Sequence, residues 1–404
     1  MSKKIKDIKA KEILDSRENS TVEVELETDD GIFKASVPSG ASKGKYEAVE
    51  LRDDDKKGVS KAIKNVNEII ALKLKGKDPT EQEKIDNLMI ELDGTDNKKK
   101  LGVNAILPVS IAVCRAGASA KNLPLYKYIY KIENCKLKIE NWQIPLPCFN
   151  VINGGVHAGN NLDIQEFMIV PQEDSFSKNL QAGKDIYRVL AKSLGEETKI
   201  GDEGGFAPLI SKTNQALDLL MEAIKDYSAV KFGLDCAATQ FFKNGKYYLE
   251  GKDLTGQELN SFYQDLIDKY PIIFIEDPFA EEDWKSWKEL DVLVVGDDLT
   301  VTSKKRLDRA VKENCISGII VKPNQVGTIT ETLETIKIAK EAGLKIIVSH
   351  RSGETLDDFI ADLAVGIRAD FIKSGAPAPP ERMTKYNRLY KIEKSLKNNK
   401  IIQE

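Results

Sequence analysis

Three carboxylates close short apolar runs: Asp235 ends VKFGLD, Glu276 ends IIFIE and Asp297 ends VLVVGD. They offer hard oxygen donors with no thiolate or imidazole among them, a set that suits Mg²⁺ or Mn²⁺ better than zinc. Lys322 ends a similar run, GIIVK, where apolar surroundings are expected to desolvate the ammonium, lower its pKa and fit it to act as a base. His350 ends KIIVSH and Lys373 ends ADFIK. Asp277 and Asp298 follow two of the carboxylates directly, so strand alternation should turn them away, into structural salt bridges.

Other polar groupings stand outside these runs. The chain has only two histidines, and His157 lies in the glycine-rich Asn153-Gly154-Gly155-Val156-His157-Ala158-Gly159. Gly201-Asp202-Glu203-Gly204-Gly205 sets two acids between glycines, short and flexible like a catalytic or acidic turn. His350-Arg351-Ser352-Gly353-Glu354 supplies a forked donor and a hydroxyl, read as the start of a helix that clamps phosphate or carboxylate. Ser39-Gly40-Ala41-Ser42-Lys43-Gly44-Lys45 is one residue short of a P-loop and has Tyr46 where the metal-binding hydroxyl belongs; it reads as a mobile lid.

Elements must hold these residues together. The six apolar runs alternate with amphipathic helical stretches, and their last residues lie 41, 21, 25, 28 and 23 residues apart. That alternation predicts parallel strands joined by crossover helices, covered on both faces. Adding IPLPCFNV and IQEFMIV upstream gives eight strands, over a span near the ~250 residues of a (β/α)₈ barrel, with an open doubly wound sheet as the alternative. In a barrel the six ionisable strand ends converge on one mouth. Before them, TVEVELE alternates like a half-exposed strand and resumes after Asp29-Asp30-Gly31, marking an α+β unit. The expected division is residues 1–135, an N-terminal capping domain that carries the lid, and residues 136–404, the barrel.

Composition bounds the rest. The 404 residues are 41% apolar and 31% charged with net charge −4, an ordinary globular balance with no basic field for specific nucleic-acid binding. Lys98-Lys99-Lys100 is expected to be a solvated loop. Five scattered cysteines without a C-x-x-C pair suit a reducing cytoplasm, and no apolar run is expected to span a bilayer.

In order along the chain, SGAS, NGGxHAG, QEFM, GDEGG, GLDCA, IEDPF, DDLTVT, SHRSGE and IKxGAP closely resemble the enolase family, end to end. The resemblance implies a phosphopyruvate hydratase of glycolysis and gluconeogenesis, interconverting 2-phosphoglycerate and phosphoenolpyruvate with two Mg²⁺, as a cytoplasmic homodimer or octamer. It implies that Asp235, Glu276 and Asp297 hold one metal and Ser39 the other. It further implies that Lys322 removes the C2 proton, Glu203 assisted by Glu166 expels the C3 hydroxyl, and His157, Gln165, His350, Arg351, Ser352 and Lys373 contact substrate. A lysine base beside metal is the arrangement for which the enolase superfamily is itself a standing example. Two other readings are another acid lyase or racemase of the superfamily and an enolase-like scaffold of low activity. Against the family pattern, Glu18 and Ser20 replace a glycine and a proline, Lys43 a threonine, Tyr46 a histidine and Pro323 a valine, and Pro379-Pro380 interrupts APAxxER.

Overall fold

The computed structural model describes residues 3–40, 44–54, 57–133, 142–287 and 290–401. The expected boundary at residue 135, Cys135 and the lid residue Lys43 lie outside them. Strands β1 (Asp7–Leu14), β2 (Ser20–Thr28) and β3 (Gly31–Ser36) form an antiparallel meander. Alternation along β2 buries Val22, Val24 and Leu26 completely, and the helix Val103–Ala120 packs over β2 and β3. That helix runs 18 residues at mean hydropathy 1.4, long and apolar enough to cross a membrane by length and composition, contrary to expectation. Its apolar window is 83% buried within the protein, as a core helix requires.

Eight strands close a barrel: β4 (Leu146–Asn153), β5 (Glu166–Pro171), β6 (Val230–Asp235), β7 (Ile272–Glu276), β8 (Leu293–Gly296), β9 (Gly318–Val321), β10 (Lys345–Ser349) and β11 (Phe371–Lys373). Parallel pairing of β11 with β4 completes the ring. The expected α/β barrel after a smaller α+β unit is therefore present, with one difference. Strand β5 runs antiparallel to both neighbours, β4 and β6, and no helix separates it from β4 beyond the short turn Gly155–His157. The Gly- and Asn-rich stretch between them has too few apolar residues to form an amphipathic crossover helix.

The barrel interior explains where the polar residues point. Cys148, Met168, Phe274, Val295, Ile320 and Ile347 pack together as its floor, joined by Phe371. Side chains alternate along a strand, so two residues above this floor the same inward face presents Asn150, Glu166, Glu276, Asp297, Lys322 and Lys373. Asp235 stands likewise two residues above Gly233. Because β5 is reversed, its first residue, Glu166, is the one at the mouth, in register with Asp235 and with Asn153.

Two units meet beside that mouth. Ser39 and Gly353 form a reciprocal backbone bridge of 2.8 and 2.9 Å. Arg115 forks onto Asp357 at 2.7 and 2.9 Å, and Ser36 Oγ donates to Thr355 Oγ1 at 2.8 Å.

Candidate active site

Lysines organise the carboxylates. Lys373 Nζ lies 2.8 Å from Asp235 Oδ2, 2.8 Å from Glu276 Oε2 and 3.1 Å from Glu166 Oε1. Burial alone would depress its pKa, but the surrounding carboxylates outweigh burial and hold it well above the usual lysine range. Lys322 Nζ is bonded to Asp297 Oδ2, whose other oxygen accepts from Gln325 Nε2 at 2.9 Å. The expected lowering of the Lys322 pKa is therefore reversed: burial acts downward, but Asp297 beside it pulls the pKa up. Pro323 constrains Lys322 to extended backbone, φ −125° and ψ 103°, which keeps the ammonium on the inward face.

Across the mouth, Glu166, Glu203 and His157 bring ligand atoms within 4.8 Å of one another. Glu203 Oε1 lies 3.3 Å from His157 Nδ1, and Oε2 lies 3.3 Å from His350 Nε2 and accepts from Asn150 Nδ2 at 2.9 Å. Burial opposes ionisation of Glu203, but His350 and His157 outweigh it and keep the carboxyl well below its ordinary pKa. Glu166 moves the other way, raised well above the carboxylate range by burial and by the charge of Glu203. Two neighbouring carboxyls pushed apart in this way hold one proton between them.

Several expected placements change. Among the described residues Asp277 has no ion-pair partner: at φ +42° its carboxylate accepts the backbone N–H groups of Asp297 and Asp298 at 2.9 and 2.7 Å. It thereby fixes the turn that aims Asp297. Asp298 joins Asp277 and Asp297 in a second close acidic group, and burial followed by the charge of Asp297 raises its pKa to about 8. Ser352 does not start a helix, since the next one begins at Phe359; its Oγ accepts from Arg17 Nη1 at 3.2 Å. Arg351 forks onto Glu47 at 2.8 and 3.1 Å and reaches Asn324 Oδ1 at 2.9 Å. Ser39 Oγ donates to Asp15 Oδ2 at 2.8 Å, and Tyr46 lies under Arg306, whose guanidinium carbon is 4.2 Å from the ring centroid. Lys98 is not solvated but buried, paired with Glu331 at 2.7 Å.

Sequence reasoning missed Asn150, the Thr302–Gln325 pair behind Asp297, and Arg382, which meets His350 at 2.7 Å. Asn150 had a signal, a polar residue inside the otherwise apolar PCFNVI.

Among the described residues, two groups of ligand atoms lie close enough to hold a metal ion, His157–Glu166–Glu203 and Asp277–Asp297–Asp298; of the three expected carboxylates only Asp297 belongs to either, while Lys373 lies between Asp235 and Glu276. Asp235, Glu276 and Asp297 are buried oxygen donors on neighbouring strands, and Glu276 Oε1 and Gln165 Oε1 are buried without a hydrogen-bond partner. Unpartnered buried polar atoms are rare and mark places where a ligand or ion belongs. Glu166 Oε2, both His157 ring nitrogens and Asn150 Oδ1 share that condition at the same mouth.

The family model described as "Enolase, N-terminal domain" matches residues 5–129, and that described as "Enolase, C-terminal TIM barrel domain" matches residues 141–403. With nearly the whole chain covered and its barrel mouth lined by these lysines and carboxylates, the chain belongs to the enolase family.

Proposed function

We propose that this protein is a phosphopyruvate hydratase, the reversible dehydration of 2-phosphoglycerate to phosphoenolpyruvate in glycolysis and gluconeogenesis, acting with two Mg²⁺ in the cytoplasm as a homodimer or octamer. Family membership supports an enolase-superfamily hydro-lyase. The observation that carries the finer reading is the pairing of two opposed functions in one mouth: buried lysines among carboxylates, and a carboxyl pair that keeps one proton.

Elimination of water from a 2-phospho-3-hydroxy acid needs both. Lys322 is held charged by Asp297 and would give up that proton once Asp297 holds a cation; as the neutral amine its Nζ takes the C2 proton as the C2–H bond breaks, the electron pair of that bond forms C2=C3, and the C3–O bond breaks. The leaving hydroxide takes the proton held by Glu166 and Glu203 and departs as water. When bound by Asp235, Glu276 and Asp297, with Ser39 for the second ion, divalent cations supply the positive charge that lets a carboxylate-bearing carbon lose its proton. Lys373 adds positive charge beside the substrate carboxylate, with Gln165 next to it. Arg351 and Ser352 form the phosphate grip, and His157 and His350 orient the acid pair.

Mixing the purified protein with 2-phosphoglycerate and magnesium should produce the ultraviolet absorbance of phosphoenolpyruvate. Lys322→Ala should lower kcat by roughly 10²–10⁴-fold, the usual worth of a positioned general base. No turnover at saturating magnesium overturns the reading, and turnover of a non-phosphorylated acid instead would reassign the substrate.

A further inference from the structure

Arg382 sits in the first turn of the C-terminal helix Pro380–Ile401 and is fully buried. Its two terminal nitrogens are spent on the site, while Nε lies 3.5 Å from Glu381 Oε1. Nη1 meets His350 Nδ1 at 2.7 Å and Arg351 O at 2.6 Å; Nη2 donates to Ser352 O at 2.6 Å and Asp202 O at 2.9 Å. One side chain thus ties the loop that carries Glu203 to the strand end that carries His350.

Arginine is always protonated and has only donors. A ring nitrogen 2.7 Å from it must therefore accept, so Nδ1 of His350 carries no proton. The single proton of the neutral ring is then on Nε2, the atom 3.3 Å from Glu203 Oε2. We infer that Arg382 is a positioning residue for the dehydration: it fixes His350 as a neutral ring with its N–H toward the Glu203 carboxylate. With the opposite tautomer a lone pair would face the Glu203 carboxylate, and only a proton on Glu203 itself would relieve the repulsion. Burial lowers the His350 pKa to about 4, opposed by the charge of Glu203 and aided by Arg382, consistent with a neutral ring.

The catalytic consequence rests on the hydratase reading, but the tautomer does not, and the two fail separately. Only two histidines are present, so the intact chain labelled with ¹⁵N-histidine gives two assignable rings, His157→Gln identifying the other. Wild-type His350 should show an unprotonated, hydrogen-bonded Nδ1 and a protonated Nε2 at neutral pH; a proton on Nδ1, or a cationic ring, overturns the inference without any variant. Arg382→Lys keeps the charge but loses the fork. It should mix the tautomers and lower kcat for 2-phosphoglycerate at least tenfold while KM changes less than threefold. A folded variant with an unchanged tautomer, or with a changed tautomer and unchanged kcat, overturns it. Should the variant fail to fold, the wild-type spectrum decides.

Discussion

Glu18 shows how one substitution can leave a turn intact and strain it. The turn is fixed by Asp15, whose Oδ1 accepts the backbone N–H groups of Arg17 and Asn19 at 2.9 Å each, and whose backbone bonds Glu18 and Asn19. These bonds leave Glu18 at φ +60°, a left-handed conformation that glycine adopts freely. An L-residue there costs about 1–2 kcal/mol, partly offset by the entropy that glycine loses on folding. Glu18→Gly should therefore raise stability by about 0.5–1 kcal/mol, read as a higher urea midpoint at unchanged slope. A lower midpoint would mean that Glu18 contributes more than it strains. The same Asp15 holds Ser39, so the turn and the expected second metal ligand are coupled residues.

At the scale of elements, the direction of β5 and the packing of β6 decide what the mouth contains. Gly233 on β6 occupies an inward position where any Cβ would lie 2.2 Å from Phe274 Cζ, so only glycine lets the Phe274 ring fill the floor. Gly233→Ala should destabilise by about 1–3 kcal/mol or more through overpacking. Phe274→Leu in the same chain should recover part of that loss, which a double-mutant cycle by denaturation measures. Additive losses would show that the two side chains do not compete for space. Most strands were legible because β-branched and apolar runs are local signals. The orientation of β5 was not, since the apolar pattern of a fully buried strand is the same in both directions; only the helix-free stretch before it carried a hint.

For the whole molecule, an ion pair beside Ser36 joins the N-terminal unit to the barrel. Arg115, on the core helix Val103–Ala120, forks onto Asp357, which also accepts the Ser36 backbone N–H at 3.1 Å. Burial would raise the Asp357 pKa, but Arg115 outweighs it and keeps the carboxylate charged. Removing one partner of this half-buried pair leaves the other charge without its main partner, at a cost of about 1–3 kcal/mol. Arg115→Ala should lower thermal stability accordingly and speed proteolytic cutting near residue 357, and adding Asp357→Asn should restore part of the loss. If Arg115→Ala leaves the melting temperature unchanged, the pair does not couple the units.

By itself the sequence determined the fold class and the chemistry available to it. Apolar runs ending in Asp235, Glu276, Asp297, Lys322, His350 and Lys373 are written locally, and strand alternation carries such residues to a barrel mouth whatever lies across from them. Only the tertiary structure decided which charge meets which. Lys322 was expected to lose proton affinity through burial, and Asp297, brought beside it by closure of the ring, reverses the direction. Asp277 was expected to seek a cation and instead binds two backbone amides. The split between Glu166 and Glu203 and the proton position on His350 depend on atoms a few ångströms apart from distant parts of the chain. Electrostatic interaction falls with distance and depends on burial, and neither quantity exists until the barrel closes.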